Sequence, residues 1–149
     1  MKIFHVCALS LTLFLLSNTG FSQGTSVPQE VRDNFNLQYP TAKNAQWGYD
    51  IVNVNVKFEL DGEWMTAEYS RSGTWKRTLK DWSYDKLIDE VKDGFQKSKY
   101  ADREVTEVKK VYLPGNVEQY RLKVEKNEFP NKLLYFNKSG RLIRNVISV

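Results

Sequence analysis

The side chains that most often act as nucleophiles, general bases or metal ligands are scarce in this chain. Its 149 residues include one histidine, His5, and one cysteine, Cys7, both close to the N-terminus. If that stretch is removed on export, the remaining chain has neither residue. Their absence excludes Ser-His-Asp triads, thiol nucleophiles and the usual zinc ligand sets. It also excludes any disulfide.

Carboxylate pairs are the remaining candidates for acid–base chemistry. Asp81 with Asp85, and Asp89 with Asp93, have the spacing that places two residues on one helix face. Exposed charges on a helix are the ordinary use of such pairs, so we interpret them as a solvated surface. No glycine-rich phosphate loop or calcium-loop pattern is present. The sequence therefore predicts no catalytic residue, no cofactor and no metal site.

Aromatic residues give the positive signal for function. Tryptophan combines a large apolar area with a polar group and often carries binding energy, although packing in the core is the alternative for any one of them. On the predicted strand 63–69, Trp64 and Tyr69 point to opposite faces, so one of the two must face away from the core. We predict a binding surface formed by three tryptophans and neighbouring cations: Trp47, Trp64, Trp75, Arg71, Lys76 and Arg77.

The first 22 residues have the pattern of an export signal. Lys2 is followed by an apolar run from Ile3 to Leu16, and Gly20-Phe21-Ser22 places small residues where a signal peptidase cleaves. The run is shorter than the roughly 20 residues that span a bilayer. We predict a signal peptide at 1–22, a mature chain 23–149 with no membrane span, and a periplasmic or secreted location.

Charge is nearly balanced along the chain. There are 22 Lys and Arg residues against 18 Asp and Glu, a formal net charge of +4, and the signs are interleaved. A nucleic-acid-binding protein would concentrate its cations in one stripe. The sequence shows no such stripe, which excludes that class of partner.

Two short segments sixty residues apart are near-copies. The segment 30–35 reads EVRDNF and the segment 90–95 reads EVKDGF. A second pair of similar segments follows at 69–75 and 136–142, where an aromatic residue precedes a turn ending in Ser-Gly. The sequence therefore predicts an internal duplication, with repeats at about 27–80 and 83–147.

Each repeat has the pattern of one helix followed by four antiparallel strands. Apolar residues recur every four positions from Val27 to Tyr39, and Pro40 ends that helix, which Ser26 is expected to cap. Period-two alternation then continues through turns such as Asp61-Gly62. Ser83 is expected to cap the second helix. The predicted fold is α+β, with one eight-stranded sheet, two helices on one face and the other face open.

The EVxDxF helix motif and the aromatic-turn-Ser-Gly motif resemble the PepSY-like family of small periplasmic proteins. This family is common in Bacteroidota and is similar to the β-lactamase inhibitor protein. The resemblance covers nearly all of 27–149 and implies a tandem helix-plus-sheet fold with a binding or inhibitory role and no catalysis. The inhibitor proteins are cross-linked by disulfides, which this mature chain cannot form.

Three functional hypotheses follow. The first is a non-catalytic periplasmic module that holds or inhibits an unidentified protein or peptide on its open sheet face. The second is a small-ligand carrier or structural protein of the envelope, which would show an enclosed apolar pocket between the repeats. The third is a hydrolase or lyase that uses carboxylates and tyrosines, which would show two ionisable groups buried together in a cleft.

Overall fold

The computed structural model describes residues 26–148, so the predicted signal peptide lies outside the described residues. Within them the chain forms two helices and eight strands. The elements of the first repeat are α1 (Gln29–Gln38), β1 (Lys43–Tyr49), β2 (Asn53–Leu60), β3 (Glu63–Ser70) and β4 (Trp75–Trp82). Those of the second are α2 (Asp89–Gln96), β5 (Glu104–Leu113), β6 (Val117–Lys126), β7 (Phe129–Asn137) and β8 (Leu142–Ile147).

All eight strands form one sheet in their chain order, and every neighbouring pair is antiparallel. The two repeats join where β4 pairs with β5, with Thr78 opposite Tyr112 and Trp82 opposite Val108. Because directly opposed residues share a face, both helices pack on the same side of the sheet. The prediction of an α+β fold with one eight-stranded sheet is confirmed. None of the helices in the described range is long and apolar enough to cross a membrane.

The helix-bearing side of the sheet, called the covered face below, contains two apolar clusters. In the first repeat, Val31 and Phe35 of α1 pack on fully buried residues of β2 and β3 such as Val56. In the second repeat, Val91 and Phe95 of α2 pack on β5, β6 and β7. The spacing of four residues puts each pair on one helix face, which explains why both near-copies keep a Val and a Phe.

The two predicted helix caps are wrong. Pro28 precedes α1 and Ile88 precedes α2, and neither helix has a side-chain cap. The second helix begins at Asp89, six residues after Ser83. A turn in which Leu87 is buried in the core separates the two. Burial of the Leu87 side chain, and not a hydrogen bond from the Ser83 side chain, anchors the segment that leads into α2. Asp81 consequently lies at the end of β4 and Asp85 in the turn, so these two residues do not share a helix face.

The Ser-Gly turns lie directly against the helices, which explains the second pair of similar segments. In the first repeat, the Asn34 side chain of α1 donates a hydrogen bond to the Gly73 carbonyl at 3.0 Å. In the second repeat Gly94 stands at the place of Asn34, and the backbones of α2 and the turn approach so closely that a Cβ on Gly94 would lie 1.9 Å from the Gly140 oxygen. Gly73 and Gly140 both have positive φ, at 85° and 75°.

Each repeat also contains a β-bulge at the same place in its last hairpin. The pairing shifts between Glu68 and Tyr69 in the first repeat and between Tyr135 and Phe136 in the second. A bulge inserts one residue and changes which face the following side chains occupy. The side chains before and after each bulge therefore depart from simple alternation.

Candidate binding surface

The side of the sheet opposite the helices, called the open face below, contains equivalent residue pairs beside the two bulges. Glu68 lies opposite Arg77 in the first repeat, and Tyr135 lies opposite Arg144 in the second. Arg77 donates through Nε to a Glu68 carboxylate oxygen at 2.7 Å. The Arg144 guanidinium lies 4.0 Å from the centre of the Tyr135 ring, a cation–π contact. The duplication thus keeps the arginine and exchanges its partner.

An apolar patch occupies the centre of the open face although no helix covers it. Leu79, Val111 and Tyr135 are only 9%, 1% and 3% exposed, with Leu113 and Leu133 packed against them. The Arg144 side chain, which extends over the Tyr135 ring, supplies part of this cover. Long cationic side chains can cover apolar surface with their stems while the charged group stays in water.

A hollow of about 300 Å³ opens beside this patch. Its lining combines aliphatic residues with the two equivalent arginines and polar groups: Arg77, Val111, Leu113, Gln119, Tyr135, Ile143 and Arg144. Ile143 is 49% exposed at the bulge of β8, where the first repeat has Lys76. The second repeat therefore offers an exposed apolar side chain next to the hollow.

A row of charges flanks the patch on its other side. Arg121 donates to a Glu107 carboxylate oxygen at 2.6 Å, and Lys109 pairs with both Glu107 and Asp81. The Nε atom of Arg121 is buried and has no hydrogen-bond partner among residues 26–148. The Arg121–Glu107 pair is part-buried, with side chains that are 13% and 39% exposed. These ion pairs place long charged side chains beside the apolar patch.

The structure separates the six residues predicted from the sequence to form one surface. Trp64 and Arg77 lie on the open face, Trp64 38% exposed with the Lys57 ammonium 5.1 Å from its ring. Arg71 lies in the exposed turn between β3 and β4, and Lys76 is exposed at the bulge. These placements leave the predicted binding role of each residue untested.

The expectation that Trp47 and Trp75 belong to the same surface is wrong. Trp47 lies opposite Val56 and packs edge-on against the Phe35 ring at 5.3 Å, so it belongs to the covered face. Trp75 packs on the same cluster and donates through Nε1 to the Thr78 hydroxyl at 3.0 Å. For Trp75 the cause is the bulge between β3 and β4, which places Trp75 and Arg77 on opposite faces although they are two residues apart.

The central residues of the hollow were not selected from the sequence. Tyr135 lies between Leu134 and Phe136, which are both fully buried on the covered face. A run of consecutive apolar residues hides its alternation, since both faces of the strand are apolar there. The equivalence of Arg77 and Arg144 in the two repeats was the signal that could have found this site.

The carboxylates are the remaining candidates for acid–base chemistry, and those with a resolved pKa shift favour the ionised form. Hydrogen bonds lower the pKa of each carboxyl group for which a shift is resolved: from backbone N–H groups for Asp50, and from Lys126, Lys138 and Lys123 for Asp102, Glu118 and Glu125. A general acid at neutral pH needs a raised value. Asp89 and Asp93 are exposed and pair with Lys92 and Lys97. Residues 26–148 contain no cluster of three potential metal ligands.

A second concave surface lies between the two helix-backed clusters. It is a pocket of about 330 Å³ with aromatic walls from Tyr39, Trp75 and Tyr112. Its floor contains Thr78, the one buried polar residue in the described part of the chain. Burial raises the pKa of the Tyr39 hydroxyl, although the hydrogen bond with Thr78 acts in the opposite direction. Tyr39 is therefore a neutral hydrogen-bonding group at physiological pH.

Solved structures from Bacteroides species share this fold. A DUF2874 family protein of Bacteroides ovatus has a TM-score of 0.71 and 25% identity, covering 82% of this chain and 88% of that one. A BLIP-like protein of Bacteroides fragilis has a TM-score of 0.70 and 23% identity, covering 84% and 89%. A Bacteroides eggerthii protein provisionally assigned to the periplasm has a TM-score of 0.69 and 22% identity, covering 82% and 89%.

No protein-family model matches the chain, and no curated protein matches it. The likeness to a BLIP-like protein agrees with the predicted resemblance to the β-lactamase inhibitor protein at the level of the fold. The PepSY-like resemblance, the signal peptide and the boundaries of the repeats stay predictions.

Proposed function

We propose that this chain is a non-catalytic binding module of the bacterial cell envelope, holding a protein or peptide partner on its open face. The observation that carries the proposal is the hollow beside Tyr135, where an apolar patch lies on a face that no helix covers. Tyrosine and arginine around a largely desolvated centre are the residues that most often dominate binding energy at protein interfaces.

The chemistry of the hollow suggests which group of the partner it takes. Val111, Leu113 and Ile143 provide apolar walls that suit an aliphatic or aromatic side chain. Arg144 forms no ion pair within residues 26–148 and lies at the rim, so it is available to a carboxylate of the partner. An apolar side chain with an acidic neighbour is the complementary pattern.

The location in the envelope and the absence of catalysis rest on two kinds of support. The export signal predicted at 1–22 agrees with the provisional periplasmic assignment of the Bacteroides eggerthii protein. The BLIP-like description of the Bacteroides fragilis protein favours a binding role over an enzymatic one. Inhibition of a β-lactamase is not part of the proposal, because nothing in this chain matches an inhibitory loop.

The test is an affinity capture of envelope proteins with the purified protein and two matched variants. Ile143→Asp introduces a charge beside the hollow at a half-exposed position, so the fold should tolerate it. Ile51→Asp makes the same change in the β1–β2 turn, where the side chain is 91% exposed and distant in sequence from the hollow. The two variants therefore differ in place but not in chemistry.

A partner that the unchanged protein and Ile51→Asp both hold, and that Ile143→Asp loses, would support the proposal and identify the partner. Thermal unfolding at the same temperature would show that Ile143→Asp is folded. A partner held equally by all three proteins would place the binding surface elsewhere. Capture of no envelope protein by any of them would leave the small-ligand hypothesis as the better account.

A further inference from the structure

The pocket on the covered face lies where the two repeats meet and takes no part in the proposed binding on the open face. The first apolar cluster lies under α1 and the second under α2, and the pocket fills the space between them above β4 and β5. Aromatic and aliphatic side chains form most of its walls: Tyr39, Trp75, Tyr112, Leu60 and Met65; Leu113, at the end of β5, borders both this pocket and the hollow on the open face. A volume near 330 Å³ lies in the range of small-molecule sites.

The two hydroxyl groups at the floor, those of Tyr39 and Thr78, leave one hydrogen without an acceptor in the described part of the chain. Trp75 donates its N–H to the Thr78 oxygen at 3.0 Å, and Gln38 donates to the Tyr39 oxygen at 3.2 Å. The Tyr39 and Thr78 hydroxyls lie 2.6 Å apart, so one of them donates to the other. Each hydroxyl has a single hydrogen, and this bond uses only one of the two.

The second hydroxyl hydrogen therefore has no acceptor among residues 26–148. Thr78 is 1% exposed and Tyr39 is half-buried, and both line the pocket. An acceptor that enters the pocket can take this hydrogen in place of solvent, a gain of one net hydrogen bond. The floor is thus prepared for a hydrogen-bond acceptor whichever of the two hydroxyls donates.

The charges at the pocket argue for a neutral ligand. Glu118 is the one carboxylic acid in the lining, and it already accepts hydrogen bonds from Lys110 at 3.2 Å and Lys138 at 2.8 Å. Its charge is therefore compensated at the rim. Within the lining, no cation faces the floor that could attract an anion.

We propose that this pocket binds a small neutral aromatic molecule carrying a carbonyl or ether oxygen, with the ring between the aromatic walls and the oxygen on the Tyr39–Thr78 hydroxyl pair. This site would make the protein a small-ligand binder in addition to any partner on the open face. The two sites lie on opposite faces of the sheet, so failure of one proposal leaves the other standing.

The test compares acetophenone with ethylbenzene, which have similar shape but differ in the carbonyl oxygen. The chain has four tryptophans, so the indole N–H of Trp75 can be followed by NMR as one of a few resolved signals and assigned with Trp75→Phe. Acetophenone should shift the Trp75 signal saturably and bind about fivefold more tightly than ethylbenzene, as one net hydrogen bond allows.

Two matched tryptophan substitutions locate the site. Val117→Trp adds bulk at the pocket lining, where the valine is 46% exposed. Val146→Trp makes the same change on β8, 36% exposed and outside the pocket lining. Binding of acetophenone should be lost in the first variant and kept in the second, with the other indole signals unchanged as evidence of folding.

Three results would overturn the proposal. The Trp75 signal could fail to shift with either compound up to its solubility limit. Equal affinities for acetophenone and ethylbenzene would show that no hydroxyl donor serves the ligand. Binding that persists in Val117→Trp would place the ligand outside this pocket.

Discussion

The two repeats solve the same structural problem with different residues, and the comparison separates fold from function. On the covered face both repeats keep a valine and a phenylalanine on the helix and a glycine turn beneath it. On the open face they keep the arginine after the bulge but replace its partner, Glu68 in one repeat and Tyr135 in the other. The residues shared on the covered face serve packing, whereas the exchanged residue Tyr135 belongs to the apolar patch and lines the hollow beside it.

The largest expected difference between the repeats lies at the helix–turn contact. Gly94→Ala should destabilise the protein by about 3 kcal/mol, because its Cβ would overlap the Gly140 carbonyl. In an ordinary helix the same change would stabilise by up to about 1 kcal/mol. Urea unfolding of the variant and of the unchanged protein measures this change in the free energy of unfolding. Gly48→Ala is the control, since nothing lies within 4 Å of its Cβ and the expected change is within about 0.5 kcal/mol.

If Gly94→Ala leaves the free energy of unfolding unchanged, the backbones of α2 and the Gly140 turn are farther apart than in this structure. The helix–turn contact would then be equally loose in both repeats, and the main structural difference between them would be lost.

Exchanging the partners of the two arginines tests the open face. Tyr135→Glu removes a 3%-exposed ring from its contacts with Leu79 and Val111, and should destabilise by about 2 kcal/mol. Glu68→Tyr, the reverse change in the first repeat, removes one partly exposed ion pair and should cost less than about 1 kcal/mol. Urea midpoints of the two variants give the comparison. Equal losses would mean that the two pairs contribute alike and that the apolar patch has no special role.

A smaller effect is expected where the first repeat replaces close packing with a hydrogen bond. Asn34→Ala removes the bond to the Gly73 carbonyl, worth about 1 kcal/mol, and part of that loss is offset by the better helix propensity of alanine. Asn36→Ala, in the same helix and exposed, receives the propensity gain alone. Asn34→Ala should therefore unfold at lower urea than Asn36→Ala. The opposite order would show that the bond to Gly73 contributes nothing.

The smallest effect concerns pH and belongs to the second repeat. The hydrogen bond from Lys138, supported by Lys110, lowers the pKa of Glu118 in the folded protein. Its stabilising contribution is therefore complete above the unfolded value of about 4.3 and is lost as the pH falls through the lower folded value. Glu118→Gln should flatten the fall in stability between pH 5 and pH 3, measured by urea unfolding. An unchanged slope would contradict this assignment.

Residue types and spacing predicted the elements of the fold closely but not their ends. The alternation of apolar residues and the Gly turns predicted eight strands in order, and the structure confirms them. The β6–β7 turn, for example, is short, because β6 ends at Lys126 and β7 begins at Phe129. Local patterns could not show this, since Phe129 pairs with Lys126 across a register shift between β6 and β7.

The assignment of side chains to faces was less predictable. Simple alternation placed Trp75 and Arg77 on the same face, and the bulge separates them. A shift of one residue moves every following side chain to the other face, so one unrecognised bulge is enough to divide a predicted site. The hollow formed by Arg77, Tyr135 and Arg144 depends on this shift in both repeats.

The sequence by itself determined the duplication, the helix-plus-four-strand unit and the absence of histidine and cysteine from residues 23–149, because these depend on residue type and local period. Only the tertiary structure decided which aromatic residues face the helices and which line a cavity. The pocket between the repeats and the hollow on the open face are formed by residues from distant strands. Their existence depends on how β4 pairs with β5 and where the bulges fall, and neither is a property of any local segment.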